Sequence, residues 1–139
     1  MEINDFFKGS VVFRLEAFPS IVRNGLDSVH GGAHATYVDC ATSCGVYTLD
    51  DLNRGHVSVK IDMDYLAMAK TLPLEGEKLT HDLPSILIDS RVIKLGKKLA
   101  YCEAKVAEEV SGRVLSSGTH VKCFIDKKFR CWRGFGVLG

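Results

Sequence analysis

Ala33-His34-Ala35-Thr36-Tyr37-Val38-Asp39-Cys40-Ala41-Thr42-Ser43-Cys44-Gly45-Val46-Tyr47-Thr48-Leu49 carries a single charge, Asp39. Ala33, Tyr37, Ala41, Cys44 and Thr48 recur at helical spacing. Val38, Thr42 and Gly45 form a second stripe that Val46 and Leu49 extend. A helix apolar on most sides is a buried one. At about 17 residues it would run roughly 25 Å. Gly45 and the β-branched residues weaken its intrinsic propensity, so packing must hold it.

Beyond the polar turn Asp50-Asp51-Leu52-Asn53-Arg54-Gly55 the period changes to two. Val57, Val59, Ile61, Met63 and Tyr65 alternate with Ser58, Lys60, Asp62 and Asp64, as in a long strand with one buried face. Residues 71–85, with Pro73, Gly76 and Pro84, read as an irregular excursion. Residues 86–94 resume a strand, Leu95-Gly96-Lys97-Lys98 is a hairpin turn, and 99–109 and 113–125 are strands joined by Val110-Ser111-Gly112. Upstream, 10–18 reads as a strand ended by Pro19, and 23–32 as a loop. The expected class is α+β, with an antiparallel sheet of five or six strands wrapped around one long helix. A single domain is expected over 1–139, with 1–9 and 127–139 as terminal segments. Such a sheet leaves a face and edges to cover, so a homodimer or homotetramer is expected.

A formal net charge of +1 gives no global field for nucleic acid, and no apolar run reaches the length of a membrane span. The start lacks the basic and apolar regions of a secretory signal, so a cytoplasmic location is expected, with an organelle left open. The five cysteines include no Cys-x-x-Cys pair. That argues against a disulfide scaffold and a zinc site, and makes Cys40 and Cys44 packing residues.

The chemistry concentrates in Asn24-Gly25-Leu26-Asp27-Ser28-Val29-His30-Gly31-Gly32, where loop becomes helix, and in Asp39 beyond it. The first N–H groups of a helix lack intrahelical partners and sit at its positive end. Glycine lets a substrate approach that backbone, as an oxyanion hole requires. A lone carboxylate on an apolar helix is costly unless it has a partner or a task. Each feature alone has a plain explanation. Gly-Gly is a common turn device, His30 a structural hydrogen-bonder, and Asp39 a lysine's partner. Their combination is far more specific.

This stretch resembles the active-site motif of hotdog-fold acyl-CoA thioesterases of the phenylacetate-pathway and thioesterase-superfamily type. Five residues separate Asn24 from His30, and six separate Gly32 from Asp39. Val57-Ser58-Val59, Ile93-Lys94-Leu95-Gly96-Lys97-Lys98-Leu99-Ala100 and Ser117-Gly118-Thr119-His120-Val121-Lys122 extend the likeness over residues 11–124. The resemblance implies a hotdog fold and hydrolysis of acyl-CoA to free acid and CoA, with no metal and no cofactor beyond the CoA of the substrate. It implies that the Gly31 N–H, with Asn24, binds the thioester oxygen, and that Asp39 acts as base or nucleophile from a neighbouring subunit. Ser58 would position water, His30 orient the loop, and Gly32 and His120 contact substrate.

Three features depart from the family. Its N-terminal helix and the strand before 10–18 find no counterpart in the pattern, which would leave five strands. Residues 71–85 are longer than expected. Strict alternation sets Ser58 opposite the Val57 and Val59 face, so a bulge, or an active site on the polar face, is required. Candidates for the CoA phosphates are Lys94, Lys97, Lys98, Arg113 and Lys122, with Lys127, Lys128 and Arg130 of the basic-aromatic tail. Competing readings are a non-catalytic acyl-CoA-binding module and a hotdog dehydratase. The latter's usual His/Asp or His/Glu motif is not found.

Overall fold

The computed structural model describes residues 1–78, 83 and 85–128, the last three by their backbone alone. The elements run β1 (Glu2–Phe7), β2 (Ser10–Leu15), a short 3-10 turn (Ser20–Val22), α1 (Gly31–Leu49), β3 (Arg54–Tyr65), β4 (Ile86–Leu95), β5 (Leu99–Glu108) and β6 (Val114–Lys128). They form a six-stranded antiparallel sheet in the order β1-β2-β4-β5-β6-β3, with α1 packed on one face.

The strand at 10–18 ends as β2 at Leu15, yet the alternation holds: Val11, Phe13, Leu15 and Ala17 are all buried. From α1, Val38 and Ala41 enter the core against Ile88, Val106 and Leu115, while Val46 packs with Ala100 and Cys102 in a second cluster. Full burial of each aliphatic side chain contributes about 1.5–3 kcal/mol. Ser90 is buried on β4, and its hydroxyl lies within reach of the Ala41 carbonyl (3.0 Å) and the Val11 carbonyl (3.1 Å). It ties helix and sheet together.

Two expectations change. Residues 1–9 are not a plain terminal segment, because β1 pairs with β2 and supplies a sixth strand. Every β1 residue is exposed, so the strand has no buried face to leave an alternating pattern. Nor does β3 bury one continuous face. Its register with β6 slips between Ser58 and Lys60, leaving Val59 as the extra residue of a bulge. Val57 and Val59 are 49% and 61% exposed, while Ile61 and Met63 pack on the core. The bulge reverses the strand's phase, so Ser58 before it and Ile61 after it both face α1. The polar side of the pattern and its apolar side thus meet the helix in turn.

Gly118 of β6 lies against the neighbouring strand β3 and under Val38 of α1, with no room for a side chain. A Cβ there would stand 2.5 Å from the Met63 sulfur, 3.0 Å from the Asp62 carbonyl and 3.4 Å from Val38 Cγ1. Met63 can move, but the backbone carbonyl cannot. Gly118→Ala is expected to destabilise the fold by about 1–3 kcal/mol, as overpacking does. Urea unfolding of the two proteins measures the difference, and equal midpoints would contradict this account.

Candidate active site

α1 begins at Gly31, two residues before the pattern's first apolar position, because His30 caps it. The His30 backbone is extended, and its Nδ1 accepts the Gly32 N–H at 3.0 Å. A side-chain acceptor at this position satisfies one of the helix's orphan donors. Gly32 therefore offers a ligand its missing side chain, not its N–H. The Gly31 N–H has no acceptor among the described residues.

Around Gly31 lies a cavity of about 420 Å³ lined by Asn24, Ser28, Val29, His34, Tyr65 and Met68, among others. The Asn24 side-chain oxygen accepts the Leu26 N–H (2.8 Å) and the Ser28 N–H (3.1 Å), and its amide donates to Ser28 Oγ (3.0 Å). These bonds fix the loop beside the helix end, and leave one amide hydrogen for a ligand. Tyr65 had no role in the sequence reading. Its hydroxyl donates to the Gly31 carbonyl at 3.0 Å, and its ring lies where a Gly31 Cβ would stand, 3.0 Å from Cζ.

A second cavity of about 220 Å³ is lined by Ala35, Thr36, Asp39, Ser58, Ile61 and His120. The β3 bulge delivers Ser58, whose hydroxyl donates to Asp39 Oδ1 at 2.9 Å. Lys122 donates to the same oxygen at 2.7 Å and lies 3.4 Å from Ser58 Oγ. Its side chain is 3% exposed, against 46% for Asp39. Lys122 is thus a buried partner of Asp39, which corrects its assignment to a CoA phosphate. Alternation gave no warning, because Ser116-Ser117-Gly118-Thr119-His120 is polar or small on both faces.

Burial opposes the ionisation of Asp39, but hydrogen bonds from Lys122 and Ser58 outweigh it and hold the carboxyl below its usual pKa. Burial first, and Lys122 second, push His120 down to about 4. A neutral imidazole 3.6 Å from Asp39 Oδ1 makes no ion pair with it. His120 Nδ1 meets Thr42 Oγ1 at 2.8 Å. The Thr42 hydroxyl has one proton, and the Val38 carbonyl lies 2.8 Å away as its helical acceptor. Given to that carbonyl, the proton leaves Nδ1 as the donor and Nε2 as a bare acceptor. Nε2 is buried without a hydrogen-bond partner.

The structure brings Asn24 and Gly31 to one cavity and Asp39, Ser58 and His120 to the other, while His30 lines neither and caps the helix beside the first. Lys94, Lys97 and Lys98 stand exposed at the β4–β5 hairpin and line neither cavity. Arg113 pairs with Glu108 in the β5–β6 turn. Lys127, Lys128 and Arg130 carry side chains outside the described residues, as do residues 79–82 and 84 of the excursion. Among the described residues no group of His, Cys, Asp and Glu is arranged to hold a metal ion, and no helix is long and apolar enough to cross a membrane.

The lowered His120 pKa fixes a pH dependence. Between about 6.5 and 4 the unfolded chain binds a proton that folded His120 refuses, so stability falls as pH drops through that window. His34, also depressed by burial, acts in the same direction. Asp39 adds stability that is lost as pH falls through its lowered folded value. Urea unfolding across the pH range is expected to show this decline. Ring NMR shifts of His120 should stay those of the neutral form at pH 6, and a midpoint near 6.5 would contradict the burial account.

No protein-family model matches the chain. Mouse acyl-coenzyme A thioesterase 13 is 30% identical over 101 residues, which span 71% of this chain and 62% of the mouse protein. Among solved structures, zebrafish thioesterase superfamily member 2 superposes with a TM-score of 0.76 at 24% identity, covering 89% of this chain and 80% of that one. A hypothetical thioesterase from Streptococcus pneumoniae, solved with coenzyme A, gives a TM-score of 0.75 at 17% identity and covers 92% and 88%. The six-stranded antiparallel sheet packed on one long helix is the hotdog-type fold of these thioesterase structures.

Proposed function

We propose that the chain hydrolyses acyl-CoA thioesters to a free acid and CoA, at a site shared between two copies. One observation carries this reading: an unpartnered N–H at a glycine helix start, and an ionised carboxylate facing a cavity, on the same helix. Gly31 and Asp39 are eight residues apart, about 12 Å of helical rise. Reacting atoms must approach to roughly 3–3.5 Å, so one copy cannot present both groups to one thioester carbon. A two-fold assembly can, by joining the Gly31 cavity of one copy to the Asp39 cavity of the other. β3 supports such an assembly: it is a twelve-residue edge strand with exposed Val57 and Val59. The likeness to mouse acyl-coenzyme A thioesterase 13 and to a structure containing coenzyme A supports the substrate class.

In this mechanism the thioester oxygen lies against the Gly31 N–H, with the Asn24 amide beside it. Asp39 takes a proton from water while the water oxygen attacks the thioester carbon. The Gly31 N–H at the positive end of α1 stabilises the resulting oxyanion. Collapse breaks the carbon–sulfur bond, and the CoA thiolate receives the proton from Asp39. Ser58 holds the carboxylate.

Thiol release over acyl-CoAs from acetyl to long-chain and aryl tests the reading. Asp39→Ala and Asp39→Asn should remain folded and lose about 100-fold or more of turnover. Gly31→Pro removes the donor N–H at the first helical position, where the backbone accepts proline and the exposed Tyr65 ring must swing aside, and should lose about 10²–10³-fold. Mixing and reassembling these two inactive proteins is expected to restore about a quarter of wild-type activity, because half the dimers would hold one intact site of two. Full activity in folded Asp39→Ala would overturn the mechanism. CoA esters that bind without thiol release would leave a binding module.

A further inference from the structure

Lys122 has a burial that stability does not explain. An ammonium with a side chain 3% exposed is costly to desolvate, whereas its partner Asp39 keeps nearly half its side chain in solvent. Replacing a buried ion pair as a whole by packed apolar residues is commonly neutral or stabilising. The lysine's placement is accounted for by what it does to the carboxylate. Both donors that reach Asp39 meet the same oxygen: Lys122 Nζ at 2.7 Å and Ser58 Oγ at 2.9 Å lie on Oδ1, and neutral His120 Nε2 stands 3.6 Å from it without a hydrogen bond. No described donor reaches Oδ2.

We propose that Lys122 is a positioning residue of the base half-site: with Ser58 it anchors the Asp39 carboxylate by Oδ1, which leaves Oδ2 as the atom that meets the attacking water. This rests on the reading of Asp39 as the base. The two oxygens of a free carboxylate are equivalent, and rotation exchanges them. A carboxylate held at one oxygen by two donors presents the other in one direction, as near-attack geometry requires. The contact of Lys122 with Ser58 closes the triangle and sets the hydroxyl that would otherwise rotate.

The ionisable groups facing Asp39 are Cys40 on α1, His56 on β3, and His120 and Lys122 on β6. Burial holds the Cys40 thiol up and both imidazoles down, so at neutral pH Lys122 is the cation among them. Removing it should therefore raise the Asp39 pKa, because burial then acts on the carboxylate without its main counterweight.

The test uses the full-length protein with Lys122→Met, which deletes charge and donor, and Lys122→Gln, which keeps a donor. Carbon-13 NMR of the Asp39 carboxyl reads its titration without any assay of turnover. Lys122→Met is expected to raise the midpoint by about one unit or more. The acid limb of kcat/KM should move up in step, with kcat lower by about tenfold and KM little changed. Lys122→Gln should recover part of kcat but not the pH profile. In an Asp39→Ala background, Lys122→Met should cost nothing further. If Lys122→Met does not fold, the same titration on Lys122→Gln decides. A folded variant with unchanged Asp39 midpoint and unchanged kcat overturns the proposal while the base reading stands. Turnover that survives Asp39→Ala overturns both.

Discussion

A polar seam between α1 and β6 organises this molecule. Three side chains of the helix meet three of the strand: His34 with Ser116 at 2.7 Å, Thr42 with His120 at 2.8 Å, and Asp39 with Lys122 at 2.7 Å. An apolar contact would tolerate sliding and rotation of the helix over the sheet. Hydrogen bonds between buried groups do not, because a donor or acceptor left unpaired in the interior costs its desolvation. The seam therefore sets the azimuth and height of α1. The flanking apolar contacts of Val38, Ala41 and Val46 supply most of the driving force.

That setting explains two irregularities. The β3 bulge at Val59 breaks the strand's alternation, yet it is what lets Ser58 reach Asp39 while Ile61 and Met63 still join the core. Gly118, between the Ser116 and His120 contacts, has no side chain because Met63 and Asp62 of β3 and Val38 of α1 fill the space one would need. In both places the sheet gives up regularity so that the polar pairs can form.

The same helix separates the two kinds of chemistry. Its N-terminus, capped by its own His30, exposes the Gly31 N–H; its third and fourth turns carry Asp39 and Thr42 against the strand. The two groups of the proposed mechanism, the Gly31 N–H and the Asp39 carboxylate, are thus locked on one rigid element at a fixed spacing. The exposed β3 edge supplies the place where a second copy would complete the arrangement.

Much of this was legible in the chain itself. The long apolar helix, the hairpins after it and the spacing of Asn24, His30, Gly31 and Asp39 follow from local periodicity and turn chemistry, which neighbouring residues encode. β1 escaped notice because an edge strand with no buried face needs no alternation. A bulge near Ser58 is one of two alternatives the alternation leaves open, because whether and where a strand bulges is decided by its partner strand. Along the chain Lys122 reads as a candidate for a CoA phosphate and Tyr65 as one more position of the strand's alternation. Only the pairing of β3 with β6 under α1 brings Lys122 to Asp39, and only the return of β3 past the helix end lays Tyr65 on Gly31. Sequence determined which groups are present and which faces are apolar. The tertiary structure alone decided which polar groups meet, because those meetings join residues as many as 83 positions apart.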